Sequence, residues 1–242
     1  MATVVGTPGG TYNASQTQTS YSHTYSGTVV SGDVAVVSCQ GFDADVTGTI
    51  TIDSLTCTVG GTATAQFATI LTSEGDTPEP FIRGYIYVFS AGGANPQFTA
   101  NTNGDNAGDT QLSAAIFRGI DSTTPVQDVD TISGSQSISS PPDLTMAGPG
   151  PICGFANSWL WPASFDFAVG TPTTGWTGFV NTATGAGAKY QNFTSGGTRD
   201  GDIDWAGGPR AYVGWHIALA DAVAAGVNPA LLSRPKALAF AV

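Results

Sequence analysis

The chain has 242 residues, of which 41% are hydrophobic and only 10% are charged, and its formal net charge is −11. The hydrophobic share is large enough for a packed core, which excludes wholesale disorder, and the length suits one large domain. The seven lysines and arginines are scattered along the chain, which excludes a basic patch that could hold the phosphates of a nucleic acid.

No stretch of the sequence resembles a targeting segment or a membrane span. The first twenty residues contain no basic segment followed by an apolar run, which argues against a secretory signal peptide. No apolar stretch reaches the roughly eighteen residues that a membrane-spanning helix needs. We therefore expect a protein that is made in the cytoplasm and is not inserted into a membrane.

The first part of the chain predicts antiparallel strands joined by turns. Residues 1–28 are polar and alternate weakly, as in an N-terminal arm or an edge strand. Residues 33–39 are apolar on both faces, which indicates a strand in the middle of a sheet. Residues 73–80 hold both glutamates and two prolines, so we predict an exposed loop there. Further strands are predicted at residues 47–53, 55–59, 65–72 and 82–89.

Residues 111–121 form the stretch around which we expect the other strands to be arranged. Leu112, Ala114 and Ile116 would share one face of a strand, and the residues between them would share the other. No neighbouring segment is long enough for a crossover helix, so the strands that pair with it are predicted to be antiparallel.

The second part of the chain has the same pattern with longer connections. Residues 122–150 are rich in Ser, Pro and Gly, and residues 198–209 form an acidic, glycine-rich loop. The last strong strand, residues 210–220, would point Trp215 inward and His216 outward. Between these segments, strands are predicted at residues 152–160, 164–169, 176–182 and 188–193.

These elements together predict an all-β fold, a single antiparallel β-sandwich of jelly-roll type with about ten strands. Residues 29–221 would form the sandwich domain, and residues 222–242 would form a C-terminal arm. Within that arm, Asn228 begins a single helical turn that Pro235 ends, and an alternating strand follows.

The acidic loop is the candidate metal site. Its aspartates have the spacing of oxygen ligands for Ca²⁺. An EF-hand loop would need Gly at position 205 and Glu at position 211, where this chain has Trp205 and Ala211. The alternatives are therefore a calcium loop of another kind and a solvated turn. The three aspartates are Asp200, Asp202 and Asp204.

The same loop is the candidate glycan-contact site. An aromatic ring beside carboxylates is common in sugar binding, because the ring covers the apolar face of a pyranose and the acids bond its hydroxyls. Trp205 has this position, and Arg199 and Arg210 flank the loop. The alternative is that Trp205 folds back onto the sandwich.

No set of residues predicts catalysis, a redox site or a cofactor. Glu74 and Glu79 share one loop, whereas glycoside hydrolysis needs carboxyl groups that face each other, which only aspartates from different loops could supply. A Ser-His-Asp triad would need His23 or His216, but there is no GxSxG motif, so both are interpreted as ordinary surface histidines. The three cysteines have no CxxC spacing. Cys39 and Cys57 are interpreted as buried small apolar residues, with a bridge between them as the alternative.

Aromatic and apolar residues in two segments are candidates for subunit contacts. Tyr85, Tyr87 and Phe89 share one strand face, which suits a core, a subunit interface or a ligand platform. Leu238 and Phe240 alternate in the C-terminal arm. An apolar terminal strand leaves a sheet edge to be covered, so we expect a homo-oligomer formed through the termini and the aromatic strand.

Three segments stand in a recognisable order. Residues 31–33, Ser-Gly-Asp, precede an apolar strand; residues 112–121 are followed closely by Pro125; and residues 212–220 form a Trp-containing strand that ends in small apolar residues. Over residues 29–221 this order resembles bacteriophage virion proteins of the β-sandwich type. The resemblance implies a minor tail protein, a tail-tip or fibre module, or a head decoration protein.

The resemblance implies assembly and adhesion rather than catalysis. The expected function is that of a non-enzymatic virion structural protein on the particle surface, with other virion proteins and a host-surface glycan as partners. A carbohydrate-binding module is the alternative, and a hydrolase that uses aspartates from the loops is the third hypothesis.

Overall fold

The computed structural model describes residues 1–13, 18–43, 51–70, 79–103, 107–134, 143–159, 168–169, 175–181, 186–199, 205–206 and 211–222. Every regular element in these ranges is a β-strand, which confirms the all-β prediction. None of the described residues forms a helix that is long and apolar enough to cross a membrane.

The strands are short at the N terminus and longer in the middle of the chain. The first ten are β1 (Thr3–Val4), β2 (Gly9–Asn13), β3 (Ser20–Thr24), β4 (Thr28–Val29), β5 (Val34–Asp43), β6 (Ile52–Cys57), β7 (Gly61–Ile70), β8 (Glu79–Phe89), β9 (Gly93–Ala94) and β10 (Gln97–Thr102). The second ten are β11 (Ala107–Arg118), β12 (Val126–Gly134), β13 (Leu144–Met146), β14 (Gly150–Trp159), β15 (Ala168–Val169), β16 (Thr177–Asn181), β17 (Ala186–Phe193), β18 (Gly197–Arg199), β19 (Trp205–Ala206) and β20 (Ala211–Leu219).

Three antiparallel sheets carry the architecture. The central sheet has the order β1-β11-β5-β8-β7, and β2 also pairs with β11. The first outer sheet is β3-β10-β6, and the second outer sheet is β12-β20-β14-β17-β16. The remaining strands form the two-stranded pairs β4-β9, β13-β18 and β15-β19.

The central sheet is covered on both faces, so the molecule has three layers and two main cores. Strand β5 shows why: Val37 and Cys39 face the first core, shared with the first outer sheet, whereas Val34 and Val36 face the second core, shared with the second outer sheet. All four side chains have no exposed surface. The prediction that this strand is central is confirmed.

Strand β11 confirms the prediction for residues 111–121. Leu112 and Ile116 pack in the first core, and Ala115 and Phe117 pack in the second. The strand pairs antiparallel with β5 on one side and with β1 and β2 on the other. A strand that is apolar on both faces can be buried only if a layer lies on each side of it.

The finer predictions for the fold fare differently. The jelly-roll topology is not confirmed, because the described strands form a three-layered arrangement in which the second outer sheet covers a face that a two-sheet sandwich would leave to solvent. The predicted helical turn, residues 228–235, and the arm strand, residues 236–242, lie outside the described residues.

The strands are connected differently at their two ends. At the turn end, where β8 and β11 finish, short turns join the strands, and Gly6, Gly32 and Gly119 have positive φ angles of 66°, 89° and 83°. The opposite end is called the loop end. Strands β2, β5, β7 and β10 finish there, and the strand that follows each of them begins there. The connections at the loop end are residues 14–19, 44–51, 71–78 and 103–106.

The second outer sheet has the same polarity. Its strand β20 finishes at the turn end, where Asp221 pairs with Ile120 just after β11. Its strands β12, β14 and β16 finish, and β17 and β20 begin, at the loop end. The hairpin between β16 and β17 therefore turns at the loop end, whereas the chain crosses from one end of the sheet to the other between β12 and β14, between β14 and β16 and between β17 and β20.

Candidate functional site

At the turn end, an ion pair joins two of the three segments on which the resemblance rests, residues 31–33 and residues 112–121. Arg118 donates from Nε to Oδ1 of Asp33 at 2.9 Å and from Nη2 to Oδ2 at 2.8 Å. Asp33 is 1% exposed and also accepts from the backbone nitrogen of Val30. The bonds to Asp33 and its charge raise the pKa of Arg118. The pair therefore serves the framework of the turn end.

A second set of contacts joins β11, β20 and the N-terminal residues at the turn end. The backbone nitrogen of Ala222 donates to Gly119, and that of Asp121 donates to Ala220. The carboxylate of Asp221 accepts from the backbone nitrogen of Ala2 at 2.9 Å and lies 3.3 Å from the amino group of Met1. All three resemblance segments thus meet at this end.

A cavity of about 650 Å³ opens beside these contacts. Its two carboxyl groups belong to Asp121 and Asp221, which is the kind of pair that a hydrolase would use. The carboxylate of Asp121 instead accepts from Thr123 and Thr124, which lowers its pKa. Gln127 donates to Leu219 at 2.6 Å. The polar side chains of this cavity are therefore used to hold the chain.

The loop end of the first core is different, because it holds buried polar atoms whose hydrogen bonds are not made. The hydroxyl of Tyr21, Nε2 of Gln18 and Nε of Arg83 have no hydrogen-bond partner within the described ranges. Tyr21 is 5% exposed and Gln18 is 9% exposed. Buried polar atoms are nearly always bonded, so such a group marks a place where water or a ligand is expected.

Burial and a neighbouring charge determine which groups near Cys39 are ionised. Burial raises the pKa of Tyr21 well above its usual value, and burial also raises that of Cys39, against the opposing charge of Arg83. Both groups are therefore neutral, and Arg83 supplies a positive charge. Its guanidinium lies 5.5 Å from the centre of the Tyr85 ring.

His216 lies on the outer face of the second outer sheet and is not a surface histidine, contrary to our interpretation. Its side chain is 0% exposed, and neither ring nitrogen has a hydrogen-bond partner in the part of the chain that the structure describes. In the strand register, Asp130 stands opposite it on one side, and Gly154 separates it from Lys189 on the other. Burial and the charge of Lys189 lower the pKa of His216 to about 3, so the ring is neutral.

A row of stacked cations and rings covers part of the same face. Lys189 Nζ lies 4.4 Å from the centre of the Trp176 ring, which meets Phe193 edge-on at 6.4 Å. The guanidinium of Arg199 lies 4.6 Å from the Phe193 ring and donates to the backbone oxygen of Ser195 at 2.9 Å. Arg199, a predicted glycan contact, is thus bound by its own chain.

The other residues of the acidic loop are only partly described. Trp205 belongs to β19, where its backbone pairs with Val169 on β15. No group of three or more acidic, histidine or cysteine side chains among the described residues could hold a metal. The calcium and glycan hypotheses therefore stay predictions. The predicted site residues that lie outside the described ranges are Asp200, Asp202, Asp204, Arg210, Leu238 and Phe240.

The predicted aromatic interface belongs to the first core. Tyr85, Tyr87 and Phe89 are 4%, 4% and 1% exposed, because the first outer sheet covers this face of β8. The hydroxyls of the two tyrosines donate to backbone oxygens, Tyr85 to Ile52 at 3.1 Å and Tyr87 to Val59 at 2.8 Å. These rings therefore form core rather than a surface that a second subunit could reach.

The three cysteines are free, so the alternative of a disulfide between Cys39 and Cys57 is not met. Cys39 and Cys153 are fully buried, and burial raises the pKa of all three thiols. Cys39 is a buried small apolar residue, as predicted, whereas Cys57 is only partly buried against the first core.

The buried, unpartnered donors of Tyr21, Gln18 and Arg83 were not predicted from the sequence. A signal was present, because Arg83 is the single charged residue in the apolar strand segment 82–89. An arginine on the same strand face as three aromatic residues needs hydrogen-bond acceptors inside or beside the core.

Comparison with known proteins adds nothing to this picture, since no protein-family model, curated protein or solved structure matches the chain.

Proposed function

We propose that this chain is a non-enzymatic structural protein of a bacteriophage virion, displayed on the particle surface as a minor tail or head decoration protein. The turn end faces the particle, and the loop end faces outward and contacts the host surface. The observation that carries this proposal is that four connections between strands of the central sheet and the first outer sheet lie together at the loop end of a three-layered framework. Loops held at one end of a β framework are the usual carriers of binding function.

The position of the resemblance segments supports the same proposal. Asp33 and Arg118 join the first and second segments, and the pairing of Ile120 with Asp221 joins the second segment to the end of the third. The segments therefore specify the framework of the turn end, and the loop end is left free to differ between proteins that share the framework.

A carbohydrate-binding module is the second candidate function. The unsatisfied donors of Tyr21 and Gln18 at the loop end favour it, because the hydroxyl oxygens of a sugar can accept such hydrogen bonds. Both candidate functions place the ligand at the loop end. They differ in whether the protein is part of a virion.

The virion proposal includes self-association, with other virion proteins as further partners. With Tyr85, Tyr87 and Phe89 buried in the first core, the surface for self-association lies elsewhere. The C-terminal arm, residues 222–242, is the segment that we propose for it.

Purified particles test the virion proposal. We expect the protein to co-purify with particles through a density gradient and to be detected by mass spectrometry and by immunogold labelling of their surface. Particles from a strain whose gene is deleted are the control for antibody specificity. A protein that is found only in the particle-free fractions, at full expression, would contradict the proposal.

A further inference from the structure

Strand β12 forms an edge of the second outer sheet. Among the described strands it pairs only with β20, and it stands at the end of the order β12-β20-β14-β17-β16. In an edge strand, every second backbone N–H points away from the neighbouring strand, and a row of such donors can pair with a strand of another chain. With its nine residues, Val126–Gly134, β12 is long enough for that pairing.

The side chains of two aspartates already occupy backbone donors of this strand. The backbone nitrogen of Val129 donates to Oδ1 of Asp128 at 2.9 Å, and that of Thr131 donates to Oδ1 of Asp130 at 2.6 Å. The two donors are two residues apart, so they point to the same side of the strand. An N–H that donates to a carboxylate of its own strand is not the one that donates to a carbonyl of β20. Val129 and Thr131 therefore supply the donors of the outer edge, the side of β12 that faces away from β20.

The two carboxylates approach this outer edge from the outer face of the sheet. Asp130 stands opposite His216 in the strand register, and Asp128 comes two residues earlier, so both side chains leave the same face. Oδ2 of Asp128 also accepts from the backbone nitrogen of Thr145 on β13 at 2.7 Å. Because Asp128 binds β12 and β13 at once, its carboxylate cannot turn away from the edge without breaking a hydrogen bond.

A bulge interrupts the part of the edge that precedes the aspartates. The register with β20 shifts between Val126 and Asp128. The residue between them, Gln127, donates from Nε2 to the backbone oxygen of Leu219 at 2.6 Å and accepts at Oε1 from the backbone nitrogen of Gly148 at 2.8 Å. A bulge disrupts the regular row of donors and twists the strand. The edge is therefore irregular where it begins and covered by carboxylates in its middle.

We propose that Asp128 and Asp130 keep the outer edge of β12 closed to strand addition, and that without these carboxylates a second copy of the chain adds there, β12 against β12. A strand that approaches the closed edge brings its carbonyl oxygens up to two carboxylates. It also has to break hydrogen bonds to charged acceptors, which are stronger than bonds between neutral groups. A second copy fits the opened edge, because two identical strands that pair antiparallel about a twofold axis satisfy both edges at once. Val129, Thr131 and Ile132 are β-branched, which favours strand pairing.

This inference goes beyond the virion proposal and does not depend on it, because the closure is a property of the single chain. It also concerns a different surface from the C-terminal arm that we propose for self-association. The two are separated by comparing each variant with the wild type at the same concentration, since every variant keeps the arm.

Sedimentation velocity of the double variant Asp128→Ala/Asp130→Ala tests the closure. We expect the variant to keep the strand content of the wild type by circular dichroism, and its mass to rise to about twice that of the wild type as the concentration increases. The matched control is Asp53→Ala/Asp143→Ala, which removes the same charge from two exposed positions. This control should sediment as the wild type does.

Two proline variants test which way the N–H groups point. Thr131→Pro removes a donor of the outer edge and leaves the pairing with β20 complete, so its melting temperature should stay close to that of the wild type. Ile132→Pro removes a donor that pairs with β20, and it should melt at a clearly lower temperature. Added to the double alanine variant, Thr131→Pro should return the mass to that of the wild type, because proline blocks the edge again.

Three results would overturn the proposal. The first is that the folded double alanine variant sediments as the wild type does at every concentration. The second is that the control at Asp53 and Asp143 associates to the same extent, which would make association an effect of net charge. The third is that Thr131→Pro melts at as low a temperature as Ile132→Pro, which would place the Thr131 N–H in the pairing with β20. The comparison of the two prolines decides the question even when the double alanine variant does not fold.

Discussion

Arg118 and Asp33, which are 85 residues apart in the sequence, form a two-point ion pair at the turn end, with donor–acceptor distances of 2.9 and 2.8 Å. The carboxylate is 1% exposed and the arginine side chain is 48% exposed. Asp33 comes directly before β5, and Arg118 is the last residue of β11, so the pair fixes the register of two neighbouring central strands.

Removing the arginine should destabilise the fold. In Arg118→Gln the carboxylate of Asp33 stays buried without its charged partner, and we expect a loss of about 2 kcal/mol, below the range for a fully buried pair because Arg118 is half exposed. Urea unfolding of the wild type and the variant measures this change.

A double-mutant cycle with Asp33→Asn provides the control for that prediction. The two changes together should cost less than the sum of the single changes, because each single change leaves one group without its partner. Additive costs would show that the two side chains do not interact.

The buried imidazole of His216 should make the protein sensitive to acid. Its pKa is about 3 in the folded state and near 6.5 in the unfolded chain, so between these values only the unfolded chain takes up the proton. The contribution of His216 to stability is therefore unaffected above pH 6.5 and falls by about 1.4 kcal/mol for each pH unit below it, until about pH 3.

The variant His216→Phe isolates this effect. It has no group to protonate and no unpartnered ring nitrogen, so we expect it to be more stable than the wild type at pH 7 and the difference to widen as the pH falls from 6.5. Melting temperatures across this range measure the difference. Two curves that stay parallel would mean that the imidazole is protonated in the folded state.

The close packing of Trp215 on the central sheet gives a third prediction. A Cβ atom at Gly84 would lie 2.6 Å from the Trp215 ring, which is fully buried and stacks on Phe155 at 5.1 Å. We expect Gly84→Ala to cost about 1–3 kcal/mol, because neither layer can move without losing contacts. Gly148→Ala is the matched control, since a Cβ there meets nothing within 4 Å, and its unfolding curve should match that of the wild type.

The apolar strands could be predicted from the sequence because alternation reports which side chains are buried. Both faces of the segments around Val36 and Ile116 are apolar, and the structure buries both. The third layer was not predicted, although the same observation implies it, because a sheet with two apolar faces needs a layer packed on each face. Reading β20 as one inward and one outward face made His216 a surface residue, whereas its outer face is also buried.

The candidate site could be predicted far less well. Tyr21 and Gln18 lie in a polar N-terminal segment without strong alternation, and only contacts over long sequence separations, with β10 and with Thr110, bury them. A local pattern carries no information about such contacts. The ion pair of Asp33 and Arg118 was hidden for the same reason, although both residues belong to segments that we had singled out.

The calcium hypothesis for the acidic loop leads to a further prediction. Asp200, Asp202 and Asp204 repel one another unless a cation or the flanking arginines offset their charges. If calcium binds, it should raise the melting temperature of the wild type but not that of Asp202→Ala, and a chelator should reverse the change. A wild-type melting temperature that is the same with calcium and with chelator would exclude the metal.

Accessibility at the two ends of the protein on intact particles tests the central claim most directly. Ser20 at the loop end and Ser31 at the turn end are both exposed in the single chain, and a cysteine at either position can be labelled with a bulky maleimide. On purified particles we predict that Ser20→Cys is labelled and that Ser31→Cys is protected until the particles are dissociated, with the wild type as the control for the native thiols. Labelling of Ser31→Cys with protection of Ser20→Cys, or absence of both variants and the wild type from the particles, would contradict the account.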